Sequence, residues 1–310
     1  MVDKVFNRHS ITWPTSSPLN EGMLDIPEDV CTFYRNPEQL PINTKPIEKN
    51  THHFWLKTHN QTDNSKEIPD VAFDNLLNQY SRMDNNIECF NIKYYLENKQ
   101  NWQCITPNHY MSLNQNEKSN YFHHFFWVND ETLYPTTIAK LKAINVDIKN
   151  INSLDIKAQH LDKINDYIDK GYYGSMVDTL KYKTALIYGG VATDLNFELY
   201  TKKLGKFFDD YSFITVARNF RDIENYFIAA HKDHSILNAM SDVIDNMLDN
   251  SEIKDDLHLT HITYGVWRDT LKSNIENAEG VNEIFKFCYG EMREELYIGR
   301  DPDSQSSWFS

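Results

Sequence analysis

The chain has 310 residues, 40% of them hydrophobic and 13% aromatic, which is enough for one large domain or two with a sizeable core. A formal net charge of −14 would repel phosphates and argues against a duplex nucleic-acid binder, while it suits a divalent cation or a basic protein partner. Cys31, Cys89, Cys104 and Cys288 show no CxxC or finger spacing, which argues against a zinc module and suits reduced, mostly buried thiols.

In chain order, residues 1–50 carry prolines at 14, 18, 27, 37, 41 and 46 and read as an irregular leading segment. That segment has no apolar run, so no cleaved secretory signal is expected, and nothing in the chain approaches a membrane span. Residues 51–118 are rich in Asn and Gln, with helices predicted near 70–83 and 89–98. This first stretch, 1–118, is taken as a mostly helical accessory region, and 119–310 as the core. The run from Tyr121 to Val128, YFHHFFWV, is continuously apolar and aromatic, the pattern of a strand covered on both faces. A helix near 134–144, a strand near 146–151 and a helix near 159–170 follow. Strands alternating with helices predict an α/β fold built on a central sheet.

The most informative stretch is Val177 to Asn196, VDTLKYKTALIYGGVATDLN. Asp178 to Tyr188 suits a helix with a buried face, and Gly189-Gly190 can take the left-handed conformation that stops one. Val191-Ala192-Thr193 reads as a short strand, with Asp194-Leu195-Asn196 where it runs out. Alternation along an extended chain points Asp194 and Asn196 the same way, and two adjacent oxygen ligands can hold Mg or Mn against a diphosphate. The triplet D-x-[DN] also occurs at 84–86 and 301–303, where a solvated turn is the simpler reading, because only the middle copy follows a helix and a glycine pair.

Those linked positions resemble the GT-A glycosyltransferases of the DxD type, and within them the glucosylating clostridial toxins and Legionella glucosyltransferase effectors. The family pattern is roughly A/S-D-x-x-R, seven residues, G-G, then a strand ending D-x-D; here it is Asp178, Lys181, Gly189, Gly190, Asp194 and Asn196. The resemblance implies a GT-A-like, Rossmann-like mixed sheet flanked by helices, and a metal-dependent, retaining transfer of glucose from UDP-glucose to a protein hydroxyl. It implies Asp194, Asn196 and Ser306 as ligands to Mn or Mg, and Asp178 and Lys181 on the sugar hydroxyls, with Gly190 beside the donor. It also implies Trp127, in His124-Phe125-Phe126-Trp127, as the platform for the uracil, and Trp308 of Ser304–Trp308 on the diphosphate, in a lid over 301–310. The earlier string His52-His53-Phe54-Trp55 is set aside as a coincidental apolar strand, since no Asp-Lys-Gly-Gly block follows it at the right distance. The expected partners are a UDP-sugar and a host protein, a small GTPase or a translation factor in the family. The expected setting is a secreted bacterial effector in the host cytosol, or otherwise a cytoplasmic protein; membrane contact stays open, nucleic acid is not expected, and whether the chain is a fragment of something longer stays open.

The departures from the pattern weaken the expected cation site. Asn196 is a neutral ligand where the family has Asp, and Lys181 lacks the bidentate fork of Arg. Ala192 and Val177 also replace the usual Tyr and small residue. Two competing readings stay open: a nucleotide-sugar-binding module with little or no turnover, and an adaptor whose first 118 residues contact a partner. A different donor, such as UDP-N-acetylglucosamine, is a further alternative. His231/His234 and His258/His261 are spaced to share a helix face, a weak zinc signal, and Thr263–Trp267 loosely resembles a loop lining the sugar site in related enzymes.

Overall fold

The computed structural model describes residues 45–58, 67–83, 103–118, 120–195, 197–199, 208–209, 212–219, 222–250, 285–288 and 298–300. Among them a seven-stranded mixed sheet forms the centre. Its strands are β1 (Asn50–Trp55), β2 (His123–Val128), β3 (Asp147–Asn150), β4 (Gly190–Thr193), β6 (Phe213–Asn219), β7 (Asp222–Ala230) and β8 (Phe285–Cys288), in the order β3-β2-β1-β4-β7-β6-β8. The first four in that order run parallel, β7 is antiparallel to β4, and a separate pair joins β5 (Phe197–Leu199) to β9 (Ile298–Arg300).

The helices are α1 (Asp70–Met83), α2 (Pro107–Ser112), α3 (Gln115–Lys118), α4 (Pro135–Ala143), α5 (Ala158–Asp169), α6 (Tyr173–Tyr188) and α7 (Ser235–Asn250). Period-2 alternation along the strands splits the core in two. Phe54, Phe125 and Trp127 face α5, α6 and α7, while Trp55, Phe126 and Val128 face α1 and α4. Both faces of β1 and β2 are therefore covered, and both strands are buried almost throughout. The helix α6 is buried nearly all round, which suits its place against the sheet under α5 and α7.

The predicted helices at 70–83, 134–144 and 159–170 and the strands at 121–128, 146–151 and 191–193 all form, within a residue or two; the helix expected at 89–98 lies outside the described residues. The domain boundary at 118 and the dismissal of His52–Trp55 are both corrected. That string is β1, the strand on which the sheet is built, hydrogen-bonded to β2 on one side and β4 on the other. The sheet grows outward from β1 through β2 to β3, then returns to β4 on the other side of β1. Distance along the chain from β1 to the Gly-Gly block is thus long, while distance in space is one strand. Residues 45–58 and α1 belong to the core. Among the described residues no helix is long and apolar enough to cross a membrane.

Candidate active site

The motif region folds as the spacing predicts. The α6 helix ends at Tyr188, the Gly189 N–H closes its last turn on the Ala185 carbonyl at 3.0 Å, and β4 starts at once. Both glycines are required. Gly189 has φ +65°, and a Cβ there would lie 1.8 Å from the Glu48 carboxylate; Gly190 has φ +98°, and its Cβ would lie 2.4 Å from the Asn50 carbonyl. The close approach lets β4 lie in register against β1, with Thr51 opposite Val191 and His52 opposite Ala192. Asp194 then emerges at the carboxyl end of a central parallel strand, the edge where open α/β sheets bind ligands. Its N–H is held by the Tyr226 carbonyl at 3.1 Å.

Three of the expected residues meet there. Lys181 Nζ donates to Asp194 Oδ1 at 2.7 Å and lies 2.9 Å from Asp178 Oδ1, and it also donates to the Asn225 carbonyl of β7 at 3.0 Å. An ammonium has three N–H groups, so all are engaged, and Lys181 has no exposed surface. Burial alone would push its pKa down; the carboxylates of Asp178 and Asp194 more than reverse this and hold it well above the ordinary lysine value. The expected contact of Lys181 with sugar hydroxyls is therefore corrected: its donors are spent inside the protein. The carboxylates keep some solvent contact, 13% for Asp178 and 19% for Asp194, so of the three groups they are the ones open to solvent.

Trp127 is also corrected. It has no exposed surface, and its ring packs among Phe54, Phe125 and Tyr188. It presents no face to a base. Its indole N–H donates to His52 Nδ1 at 3.2 Å, and His52 Nε2 lies 2.9 Å from the Gly189 carbonyl. Indole N–H only donates and a carbonyl only accepts, so His52 must carry its proton on Nε2. Burial pushes His52 down to about 4, which keeps it neutral. Trp127 thus supports the Gly-Gly turn from behind. No sequence signal separates a buried from an exposed Trp at a strand end, since both suit the same apolar run.

Asn196, Ser306 and Trp308, the other two D-x-[DN] triplets, His258/His261 and the 263–267 loop lie outside the described residues. The rings of His231 and His234 lie 4.8 Å apart, tilted at 60° to each other, but His231 Nδ1 lies 2.6 Å from the Lys232 carbonyl and His234 Nδ1 accepts the Ile236 N–H at 3.2 Å, a local role at the start of α7. Among the described residues no three His, Cys, Asp or Glu side chains cluster as metal ligands. A Mg or Mn ion at this edge fits the donor chemistry only as such ions bind at phosphate-transfer sites, with one or two carboxylates and the rest from phosphate and water. A cavity of about 1140 Å³ opens at the other end of the sheet, where Asn50, His123 and Asp147 begin β1, β2 and β3. It is the amino end of the parallel strands, away from Asp194, and it is not the motif site.

The sheet order, the antiparallel strand beside β4 and the acidic residue at the end of β4 define an α/β fold of the GT-A-like type. Among solved structures the chain is similar to the PaToxG glycosyltransferase, with 14% identity, a TM-score of 0.51, and coverage of 81% of this chain and 76% of that one. It is also matched to the UDP-bound glycosyltransferase domain from the YGT toxin, at 10% identity over 81% of this chain and 82% of that one, with a TM-score of 0.41. A third match is the catalytic domain of alpha-toxin from Clostridium novyi, at 11% identity over 74% of this chain and 64% of that one, with a TM-score of 0.34. At such identities the likeness is one of fold, and the fold comparison rests on the first of the three. No protein-family model matches the chain, and no curated protein does.

Proposed function

We propose that this chain is a retaining glycosyltransferase that moves glucose from UDP-glucose to a hydroxyl of a host protein, as the catalytic domain of a bacterial effector or toxin. The observation that carries the reading is the Asp178–Lys181–Asp194 cluster, set at the carboxyl edge of the central parallel strands in a glycosyltransferase fold. In that arrangement Lys181 cancels one of two negative charges and fixes both carboxylates, so neither has to reorganise when a ligand arrives. Asp178 accepts hydrogen bonds from sugar hydroxyls and orients the anomeric carbon. Asp194, with Asn196 and Ser306, would hold Mg or Mn, which when bound supplies positive charge against the departing diphosphate. With one carboxylate already paired to an ammonium and Asn196 neutral, cation affinity is weak in the absence of nucleotide. Trp308 remains the residue for the diphosphate, in the lid over 301–310; the base platform passes from Trp127 to another residue.

The test is hydrolysis of UDP-glucose by the full chain with Mn present, because glycosyltransferases leak sugar to water. Release of glucose that stops when Mn is chelated supports the reading. UDP binding without release of glucose would favour a binding module, and neither binding nor release would contradict the proposal.

A further inference from the structure

The two histidines of β1 point to opposite faces of the sheet. His52 reaches the Gly189 carbonyl, at the start of β4. His53 lies on the α1 side, where its Nε2 is 2.8 Å from Gln79 Oε1, and Gln79 Nε2 donates to the carbonyl of Asp194 at 3.0 Å. The direction of this chain of bonds is fixed. The Asp194 carbonyl accepts, so the amide nitrogen of Gln79 must face it; the amide oxygen is left for the imidazole, which must carry its proton on Nε2. His53 has no exposed surface and Gln79 only 1%, with Tyr80 edge-on against the imidazole at 5.1 Å. Burial pushes His53 down to about 3, so it remains a neutral donor throughout the working range.

We propose that Gln79 is a positioning residue for the Asp194 site: its buried carboxamide, anchored on His53, pins the main chain where Asp194 leaves β4. Together with His52, neighbouring residues of β1 then hold both ends of the motif strand by their backbone carbonyls, Gly189 before it and Asp194 after it. The α1 helix also packs along β5, the strand that follows the motif, so the helix that carries Gln79 touches the chain both at Asp194 and at β5. A glutamine buried at such a position, between a strand histidine and a main-chain carbonyl, meets a requirement that an apolar side chain of equal size would leave unmet. The role in transfer rests on the function proposed above; the brace itself does not.

Two variants of the full chain test it. Gln79→Met keeps the length and removes both bonds; His53→Phe keeps the Gln79 bond to Asp194 and removes its anchor. Hydrogen–deuterium exchange reads the brace directly. In Gln79→Met, exchange in peptides covering 191–199 rises about tenfold, while peptides covering 123–128 stay at the wild-type rate; His53→Phe gives a smaller rise at the same place. Unchanged exchange at 191–199 in both variants overturns the brace. In the same samples, kcat for UDP-glucose hydrolysis falls about tenfold in Gln79→Met, KM for UDP-glucose changes less than threefold, and adding His53→Phe lowers kcat no further. Raised exchange with an unchanged kcat overturns the positioning role. A wild-type chain that neither binds UDP nor hydrolyses UDP-glucose contradicts the functional reading and leaves the exchange result to decide the brace.

Discussion

Lys181 and Lys183 sit two residues apart on α6, both buried, and they face opposite ways into different surroundings. Lys181 points to the sheet's carboxyl edge and meets two carboxylates that keep partial solvent contact. Lys183 points to α7, where Asp245 and Ser241 Oγ accept from it, the latter at 2.6 Å. Nearby, His160 is wedged against Asp249 at 2.9 Å. Both lysines end paired because a buried ammonium without a partner costs several kcal/mol. The difference lies in the place. The α7 side also gathers two carboxylates, Asp245 and Asp249, around Lys183 and His160, but at a helix–helix contact, where Lys183 serves packing. The Asp194 side displays its two carboxylates at the carboxyl edge of the parallel strands, where open α/β sheets bind ligands. Position at a ligand-binding edge, and not the pairing itself, is what separates a candidate site from a structural ion pair.

Variants at the two lysines break this comparison most strongly. Lys181→Met leaves Asp178 and Asp194 facing each other without a counter-charge; it is expected to cost about 3–5 kcal/mol of stability and to abolish UDP-glucose hydrolysis. Lys183→Met is expected to cost about 3 kcal/mol, read as a lower melting temperature, with hydrolysis per folded molecule unchanged. Equal loss of activity in both would erase the distinction.

Acid sharpens the comparison next. His52 and His53 are buried with pKa values pushed down to about 4 and about 3, and His234 to about 3, all from near 6.5. Below pH 6.5 the unfolded chain binds protons that the folded chain refuses, so stability falls as pH drops from 6.5 toward 4, by at most about 1.4 kcal/mol per pH unit for each histidine. Thermal melts should be flat near pH 7–8 with respect to these groups and should decline steadily below 6.5. In a chain carrying His52→Gln the decline should be shallower.

The smallest expected effect is at Trp127. Trp127→Phe removes the indole donor to His52 and some packing, for a loss of about 1–2 kcal/mol. UDP affinity, measured by calorimetry well below the melting temperature, should stay within twofold of wild type. A loss of tenfold or more would restore Trp127 as the base platform.

Much of this architecture was legible in the sequence, and what escaped did so for physical reasons. The Gly-Gly stop, the short strand and Asp194 at its end follow from local rules: a left-handed helix stop and period-2 alternation. The partners of Asp178 and Lys181 one turn apart also follow, since residues three apart share a helix face. The place of β1 did not, because pairing between parallel strands depends on crossovers that leave no local mark. The burial of Trp127 was hidden for the same reason, and with it the links from His52 to Gly189 and from His53 through Gln79 to Asp194. Two histidines in an apolar run break the expected pattern of a buried strand. That break was itself a signal, because a buried imidazole needs a partner; His52 finds the Gly189 carbonyl beside β4, and His53 finds Gln79, which carries the link on to Asp194.

The most direct measurement is calorimetric titration of UDP with Mn into the wild-type chain and into Asp194→Ala, with circular dichroism to confirm that both are folded. The account predicts that binding in the variant weakens by at least about a hundredfold, the scale of a lost charge contact at a preorganised site. Equal affinity in the two chains would contradict it.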